Sequence, residues 1–349
     1  MKIIFIIKEE IVMNKTELKN TIKTVGAAIK TSTQPIFECI HMDAHSIKGG
    51  NSLFDIEAKC DTGLSEPVSV NFNQFKGLVG SINADIDFSV KEKLYLKSGS
   101  IKATLAIMQK GYNFERNLGE TSVFFETDEL IETINQTKHA LGKDMIGAYY
   151  VDYIEDDLLS VITLDGYRIS SRGNMQEPKV LIPAEVGDVL PTVFSEGERI
   201  SVTVYSNGAM RFTGDSITVT SGGRSDIRVM NFPYYLENIN GDVALLPQEE
   251  TLKALRTASV CGQTAKLSFS KNSMLVSAKG TYGDVSYPIE CLYSGTEKEV
   301  SINILFLEDA IKSIPYVDIN LTVGDDSSPL MIEEDKGRIK EIVLPVRTA

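Results

Sequence analysis

The stretch that decides the fold is Glu17-Leu18-Lys19-Asn20-Thr21-Ile22, because similar stretches return at 129–134 and 250–255. Each copy opens with a glutamate and spaces its apolar side chains three or four residues apart, as on one face of a helix. A motif that recurs at a nearly constant distance indicates tandem copies of one supersecondary unit. The sequence therefore predicts a repeat protein.

A second helical stretch follows in each copy. These stretches occupy 75–79, 186–190 and 307–311, which begin 53, 52 and 52 residues after the end of the first stretch. Strand-like alternation and turn residues fill the intervals, as at 68–71. Each copy is thus predicted to fold as strands, helix, strands, helix and strands. The fold class that follows is α+β, with two helices packed on antiparallel sheets.

Length and composition agree with three domains. The chain has 349 residues, and the repeat places the domains at 1–124, 125–244 and 245–349, a common domain size. No apolar run is long enough to cross a bilayer, so a cytoplasmic protein without a membrane partner is expected. The apolar start at 1–7 is predicted to be a strand, since charged residues follow at once without a cleavage site.

The four cysteines show no paired spacing. Cys39, Cys60, Cys261 and Cys291 fall in apparent strand or helix segments. They are predicted to be buried, reduced thiols, and the sequence offers neither a disulfide framework nor a zinc motif.

The net charge of −13 argues against a nucleic-acid partner, but its distribution does not. Clustered lysines and arginines give proteins their affinity for phosphates. A period of 3.6 residues puts Lys19, Lys23 and Lys30 on one face of the first helix. The candidate DNA-facing residues are Lys19, Lys23, Lys30, Lys76, Lys138, Lys253, Arg256 and Lys312. They are either solvated helix faces or, because they recur in all three units, a surface that meets DNA.

Short motifs then carry a family resemblance. In order along the chain they are Thr33-Gln34-Pro35-Ile36, Leu96-Lys97-Ser98-Gly99, Leu164-Asp165-Gly166-Tyr167-Arg168, Phe232-Pro233-Tyr234-Tyr235 and Leu344-Pro345-Val346-Arg347. Together with the threefold repeat, they resemble the bacterial sliding clamp, the beta subunit of DNA polymerase III, over nearly the whole chain.

This resemblance implies a head-to-tail homodimeric ring of six clamp domains, with helices on the inner wall and sheets outside. Duplex DNA would pass through the hole without sequence preference, met by a modest lysine and arginine lining. An acidic exterior would discourage binding outside the ring. The resemblance implies no enzymatic activity and no cofactor.

The resemblance also implies a pocket for short peptides of the replicative polymerase, the clamp loader and repair proteins. Its residues would be Leu164, Gly166, Tyr167, Arg168, Ile169, Pro233, Asn303, Phe306, Leu344, Pro345, Val346 and Arg347. An apolar groove with a few polar groups suits an anchoring leucine or phenylalanine. On pattern alone, Asp165-Gly166 is an ordinary turn and Pro345 an ordinary strand end.

Three positions depart from the family pattern. Leu164 stands where the family has a threonine, and Glu237 and Asn238 stand where it has an arginine and a valine. A glutamate in place of an arginine reverses the charge of the pocket rim. The preferred peptide is therefore expected to differ from the common family motif.

Enzyme and metal interpretations are weaker. Cys39, His41 and His45 suggest a metal cluster, but no second ligand pair accompanies them. His139 has no evident nucleophile or carboxylate companion in the sequence. The acidic runs 155–157 and 333–335 are predicted to be solvated hairpins rather than carboxylate pairs.

A second function class stays open, namely a β-rich repeat scaffold that does not encircle DNA. A clamp requires a closed oligomer and a groove for partner peptides, and a scaffold requires neither.

Overall fold

The computed structural model describes residues 12–30, 32–110, 116–154, 158–175, 177–224, 226–281, 283–334 and 337–347. Side chains are described for all of these except Val12, Gln109, Lys110, Ile154, Leu158, Pro233 and Glu237. The predicted strand at 1–7 and the acidic run 155–157 lie outside the described residues.

The chain repeats one order of elements three times: a strand, a helix, four strands, a helical segment and three strands. The first copy, called the first repeat, contains β1 (Val12–Met13), α1 (Lys15–Gly26), β2 (Cys39–Met42), β3 (Ser46–Gly50), β4 (Phe54–Lys59), β5 (Val68–Asn71), α2 (Phe72–Ser81), β6 (Ile86–Val90), β7 (Lys93–Ser98) and β8 (Ile101–Ala106), followed by the short β9 (Gln109–Lys110).

The second repeat contains β10 (Thr121–Thr127), α3 (Leu130–Thr137), β11 (Ala148–Ile154), β12 (Leu158–Leu164), β13 (Arg168–Arg172), β14 (Val180–Pro183), α4 (Ala184–Gly187), α5 (Leu190–Val193), β15 (Ile200–Tyr205), β16 (Met210–Thr213) and β17 (Ile217–Ser221). The short helix α6 (Phe232–Glu237) then leads to the third repeat.

The third repeat contains β18 (Asp242–Pro247), α7 (Gln248–Ser259), β19 (Thr264–Ser270), β20 (Ser273–Gly280), β21 (Gly283–Glu290), β22 (Lys298–Asn303), α8 (Ile304–Lys312), β23 (Asp318–Val323), β24 (Leu330–Glu333) and β25 (Ile339–Val343). Short 3₁₀ helices occupy Pro35–Glu38, Lys138–Ala140 and Asp144–Ile146. The predicted α+β repeat fold is confirmed.

Each repeat supplies strands to two antiparallel sheets, and neighbouring repeats share sheets. A nine-stranded sheet has the order β10-β15-β16-β17-β4-β3-β2-β5-β9, and an eight-stranded sheet has the order β14-β11-β12-β13-β25-β24-β23-β18. Two four-stranded sheets, β1-β6-β7-β8 and β21-β20-β19-β22, complete the set. Strands β4 and β17 therefore join the first repeat to the second, and β13 and β25 join the second to the third.

The chain divides into two compact units. One unit comprises Met1–Asp128 and Asp188–Ser225, and the other comprises Glu129–Gly187 and Asp226–Ala349. The second repeat contributes one of its sheets to each unit. The boundaries of the three predicted domains stay a prediction.

Apart from 186–190, the predicted helical stretches fall on helices, with Glu129 as the residue just before α3. Asn14 precedes α1, and its side-chain oxygen accepts the N–H groups of Thr16 and Glu17, which stabilises the helix start by about 1 kcal/mol. The buried face of α1 consists of Leu18, Ile22 and Val25. Each such side chain contributes about 1.5 to 3 kcal/mol through burial.

Two details of the helix prediction were wrong. Helix α1 ends at Gly26, so Lys30 lies beyond it and not on the face of Lys19 and Lys23. The stretch at 186–190 is not one helix but runs from the end of α4 into the start of α5. Pro191 lies at the start of α5, where its missing N–H is tolerated, whereas inside a continuous helix it would remove a hydrogen bond.

The prediction of buried, free thiols is confirmed for Cys39, Cys60 and Cys291. Cys261 is half-buried. Among the described residues, no helix has the length and apolarity needed to span a membrane.

Candidate functional site

The hairpin turn between β12 and β13 forms the centre of the candidate site, and all residues of the site belong to one compact unit. The Asp165 carboxylate accepts the backbone N–H groups of Tyr167 at 2.9 Å and Arg168 at 3.0 Å. Gly166 has a φ of +89°, a conformation that glycine adopts without strain. The predicted turn chemistry thus fixes the direction of the next two side chains.

Arg168 connects this turn to α8 of the third repeat. Its Nε donates to Asp165 Oδ2 at 2.8 Å, and its Nη1 donates to Asp309 Oδ2 at 2.9 Å. The guanidinium carbon lies 4.3 Å from the centroid of the Phe306 ring. The Tyr167 ring also lies near Phe306, with centroids 6.2 Å apart. Two carboxylates therefore surround one cation, which leaves this cluster with a formal charge of −1.

The C-terminal segment runs along the same turn. Strand β25 pairs with β13, and beyond it Leu344 donates its N–H to the carbonyl of Tyr167 at 2.9 Å. Val346 donates its N–H to the carbonyl of Ser301 on β22 at 2.7 Å. The structure thus brings the predicted C-terminal residues to the predicted turn. Pro345 and Val346 are half-buried, whereas Arg347 is exposed.

The remaining predicted pocket residues belong to the hydrophobic cores and to the start of α8. Leu164 is buried and Ile169 half-buried in a core cluster that also contains Phe232. Asn303 caps α8 by accepting the N–H groups of Leu305 and Phe306, and Phe306 packs against the core of the third repeat. Pro233 follows Phe232 in α6, and its side chain lies outside the described residues.

We call the group Tyr167, Arg168, Phe306 and Leu344 the rim surface. Tyr167 is 64% exposed and Leu344 is 40% exposed, so two large apolar side chains face solvent beside a hydrogen-bonded cation. Exposed aromatic and aliphatic side chains with a few fixed polar groups are typical of peptide-binding sites. The arrangement thus offers exposed apolar area beside polar groups that are fixed by hydrogen bonds.

A buried ion pair lies farther along the same two strands. Arg172 Nη1 donates to Glu341 Oε1 at 2.8 Å, and the side chain of Glu341 is only 1% exposed. Ser170 and Ser313 donate to the same oxygen at 2.8 Å and 2.7 Å. Because every partner of Glu341 comes from another element, this network fixes β25 against β13.

His139 belongs to this network, which corrects the sequence-based statement that it lacks a carboxylate companion. Its Nε2 lies 3.0 Å from Glu341 Oε2. The two residues are 202 positions apart, so no local pattern could reveal the pair.

The basic residues of the first repeat lie on or near α1 and α2. Lys23 and Lys76 are exposed, while Lys19 is half-buried and donates to the carbonyl of Gly80 at 3.3 Å. Desolvation, together with the neighbouring Lys15 ammonium, lowers the pKa of Lys19. Lys30 is exposed in the segment after α1.

In the third repeat, Glu308 forms ion pairs with two of the predicted DNA-facing residues. Glu308 Oε1 lies 3.0 Å from Arg256 Nε and 2.6 Å from Lys312 Nζ. Lys253 is exposed and lies 3.8 Å from Glu250. In the second repeat, Lys138 is exposed in the 3₁₀ helix after α3. Helices α7 and α8 together carry three basic and four acidic residues, a formal net charge of −1, so the basic side chains of the third repeat lie among carboxylates.

The suggested metal cluster does not form among the described residues, which contain no group of three potential ligands. His41 is buried, and its Nδ1 lies 2.6 Å from the Ser69 hydroxyl. Burial lowers the pKa of His41 to about 4. His45 lies on the surface beside Asp61 at 3.0 Å.

Solved structures of bacterial sliding clamps resemble this fold. The DNA polymerase III beta subunit of Pseudomonas aeruginosa has a TM-score of 0.87 at 16% identity, and that of Thermotoga maritima has 0.83 at 19% identity. A DnaN sliding clamp of Bartonella birtlesii bound to griselimycin has 0.82 at 17% identity. In each comparison, 97% of this chain and 99% of the other chain are covered.

No family model matches the sequence, and no curated protein matches it either. At this level of identity, the likeness establishes the fold. The chain has the fold of the bacterial DNA polymerase III beta subunit, the sliding clamp, along nearly its whole length.

Proposed function

We propose that this protein is a non-enzymatic processivity factor that closes into a ring around duplex DNA and tethers a replicative polymerase. The observation that carries the proposal is the way in which the repeats join. Strand β4 of the first repeat pairs with β17 of the second, and β13 of the second pairs with β25 of the third. Both junctions join the fourth strand of one repeat to the last strand of the next repeat.

Within one chain, this pairing of a fourth strand with a last strand leaves two such strands without a partner strand. Strand β8, the last strand of the first repeat, and β21, the corresponding fourth strand of the third repeat, each lie at the edge of a four-stranded sheet. An open edge presents unpaired N–H and C=O groups that another chain can pair with. A second copy would satisfy both edges head to tail, and such a heterologous contact gives a closed ring when its rotation closes.

The basic helix residues suit a sliding contact with DNA. Lysines and arginines bind phosphates without reading bases, and such contacts can form and break as a ring moves. The chain as a whole has a net charge of −13, so the outer surfaces repel DNA. The helix pairs of the three repeats then form the surface that faces the duplex.

The rim surface suits short peptides of a polymerase, a clamp loader or repair proteins. Its exposed Tyr167 and Leu344 offer contact area for an apolar anchor, and Arg168 is held in place by two carboxylates. The proposal needs no cofactor and no membrane, and it places the protein in the cytoplasm with DNA.

The proposal is tested by topological trapping. Purified protein is incubated with linear duplex, the duplex is ligated into a circle, and the mixture is washed with high salt, which removes electrostatic contacts. An encircling ring stays on the circle and is released when a restriction enzyme reopens it. Protein that washes off the circle as readily as off linear DNA contradicts encirclement and favours the scaffold function.

A further inference from the structure

The four-stranded sheet β1-β6-β7-β8 carries lysines on its exposed face. Along β7 the burial of side chains alternates strictly, so Lys93, Tyr95 and Lys97 share that face. Lys102 and Thr104 on β8 are exposed on the same face, because they lie opposite Lys97 and Tyr95. All five residues belong to one compact unit. We call Lys93, Tyr95, Lys97, Lys102 and Thr104 the lysine face.

Two lysines of this face lie directly opposite each other. Lys97 on β7 is the Cα partner of Lys102 on β8, which brings their Cβ atoms to about 4.5 to 5.5 Å. Like charges in such a pair destabilise a sheet. Within the described part of the chain, neither ammonium has an ion-pair partner, although Asp87 lies opposite Lys97 on β6. An anion that binds between the two lysines would relieve their repulsion.

The local charge has the opposite sign to that of the chain. The segment 86–106, which holds β6, β7 and β8, contains four lysines and two acidic residues, a formal charge of +2 against −13 for the whole chain. The two acidic residues are Asp87 and Glu92. Asp85, just before β6, accepts the backbone N–H of Lys15 at 3.1 Å. A locally basic face on an acidic protein favours a polyanion at that face.

An exposed aromatic ring lies in the middle of the lysine face. Tyr95 is 38% exposed, and its neighbours across the two ladders are Ser89 and Thr104, whose small side chains leave the ring accessible. Lys93 and Lys97 lie two residues before and after it on the same strand and the same face. Tyr95 and Thr104 also line a groove of about 470 Å³, which is in the size range of common ligand sites.

We propose that the lysine face binds single-stranded nucleic acid, with phosphates between Lys97 and Lys102 and a base stacked on Tyr95. Proteins that bind single strands without reading sequence combine a basic groove with exposed aromatic rings. The lysines supply the attraction to the backbone, and the ring supplies a surface that any base can cover.

The ring distinguishes a single strand from two other polyanions. The bases of a duplex are already stacked on one another, so they do not lie on Tyr95, although duplex phosphates could meet the lysines. An acidic peptide could also meet the lysines, but the negative face of an aromatic ring is unfavourable for carboxylates. The combination of an exposed ring with opposed lysines therefore favours unpaired bases.

The lysine face is separate from the helices of the first repeat. Phe88 on β6 points to the buried side of the sheet and packs against Phe75 of α2, with ring centroids 6.1 Å apart. The helix therefore lies behind the opposite face of the sheet. A second copy that paired with the β8 edge would extend the sheet in its own plane and leave the lysine face open. The site thus does not depend on closure of a ring.

The phosphate contacts are tested with labelled oligo(dT) of about 12 nucleotides, a length typical of single-strand sites. Fluorescence anisotropy at several salt concentrations measures binding. We expect Lys97→Gln/Lys102→Gln to weaken binding about tenfold or more and to make the salt dependence shallower by about 1.4 units, since each phosphate contact contributes about 0.7. The matched control Lys266→Gln/Lys271→Gln removes the same charge from β19 and the turn after it, and its affinity should stay within about threefold of the parent value.

The stacking contact is tested with two substitutions at one position. Tyr95→Leu keeps an apolar side chain but removes the ring, and it should weaken oligo(dT) binding about fivefold or more while leaving the salt dependence unchanged. Tyr95→Phe keeps the ring and should bind within about twofold of the parent protein. Neither Tyr95→Leu nor Lys97→Gln/Lys102→Gln should change the affinity for a duplex of the same length by more than about threefold.

The outcomes separate this site from the proposed clamp. Weaker oligo(dT) binding by both Lys97→Gln/Lys102→Gln and Tyr95→Leu, with unchanged duplex binding, supports the proposal. Parent-like binding by Tyr95→Leu, or an equal loss of duplex binding, would show a general phosphate contact and overturn the single-strand assignment. Decaglutamate that displaces oligo(dT) as well as unlabelled oligo(dT) does would overturn it in favour of an acidic peptide. If Lys23→Gln/Lys76→Gln abolished oligo(dT) binding and the lysine-face variants did not, the strand would lie at the helices, and the clamp proposal would stand without this site.

Discussion

The guanidinium of Arg168 lies over the ring of Phe306, 4.3 Å from its centroid, so a residue of the second repeat is stacked on a residue of the third. A cation over an aromatic face is attracted by the ring quadrupole. The carboxylates of Asp165 and Asp309 hold the guanidinium there. The contacts within the protein therefore fix the arrangement of the rim surface, which would lower the entropic cost of binding at the proposed peptide site.

Phe306→Ala is expected to weaken peptide binding about tenfold or more, because the aromatic floor of the rim surface is lost and Arg168 loses its stacking partner. Fluorescence anisotropy with a labelled peptide that carries leucine and phenylalanine anchors measures the change. Val260→Ala, which removes an 85% exposed side chain at the end of α7, is the control and should not alter affinity. If Phe306→Ala and the parent protein bound the peptide with equal affinity, Phe306 would not belong to the peptide site.

Glu341→Ala is expected to lower the free energy of unfolding by about 3 to 5 kcal/mol, because it leaves the buried Arg172 without its counter-charge. Urea denaturation measures this loss. The control is Glu299→Ala in the same unit, which breaks the exposed 2.8 Å pair with Lys266 and should cost less than about 1 kcal/mol. Similar losses for the two variants would show that the buried network is not a main support of the β13–β25 junction.

His41 makes stability depend on pH. Burial is the main reason that its pKa falls from 6.5 to about 4, and Lys48 also lowers it, although a bond to the Ile36 carbonyl raises it. The unfolded chain therefore binds a proton at a higher pH than the folded chain. The stability from neutral His41 is present above pH 6.5 and is lost as the pH falls towards 4. The loss is about 3 kcal/mol at most.

His41→Gln should accordingly lose less stability than the parent protein between pH 6.5 and pH 4, as measured by urea denaturation at several pH values. His45→Gln is the control, because the His45 side chain is 84% exposed, and it should keep the parent pH dependence. If the free energy of unfolding of His41→Gln changed with pH in parallel with that of the parent protein, His41 would not be the source of the pH dependence.

Glu308→Gln is expected to increase DNA affinity, because Glu308 lies between Arg256 and Lys312 and offsets their charge. The logarithm of the binding constant should become steeper against the logarithm of salt concentration by up to about one unit. Filter binding at several salt concentrations measures both changes. Glu299→Gln, which alters an exposed β-strand glutamate, is the control. A parent-like slope for Glu308→Gln would place this helix pair away from the DNA.

The repeat could be predicted because its signals are local. Strand β5 was predicted with its observed bounds, and the amphipathic stretches lie in α1, α3 and α7, since both depend on neighbouring residues. Helix α1 ends at Gly26, a residue type that commonly ends helices, so the end before Lys30 had a local signal that the sequence-based prediction did not use. The close packing of α2 there has no local signal, because a Cβ at Gly26 would come within 2.5 Å of the Phe72 ring.

The candidate site likewise combines local features, which the sequence predicted, with long-range contacts, which it did not. The turn at Asp165 and Gly166 is local and was predicted as a turn. Its partner Asp309 lies 141 residues from Arg168, and Glu341 lies 169 residues from Arg172. Such pairs arise only when β25 lies beside β13, which the strand patterns alone did not specify. The pairing of Arg168 with Asp309 could therefore not be predicted from the sequence.

The division of the second repeat between two compact units has a consequence for dissection of the protein. A fragment that covers only 125–244 would expose β13 and β17 as new open edges, because each is completed by a neighbouring repeat. Such a fragment is expected to aggregate. The folded module that can be excised or exchanged is thus one whole repeat together with the adjoining half of the next, so chimaeras should be spliced through the middle of a repeat rather than between repeats.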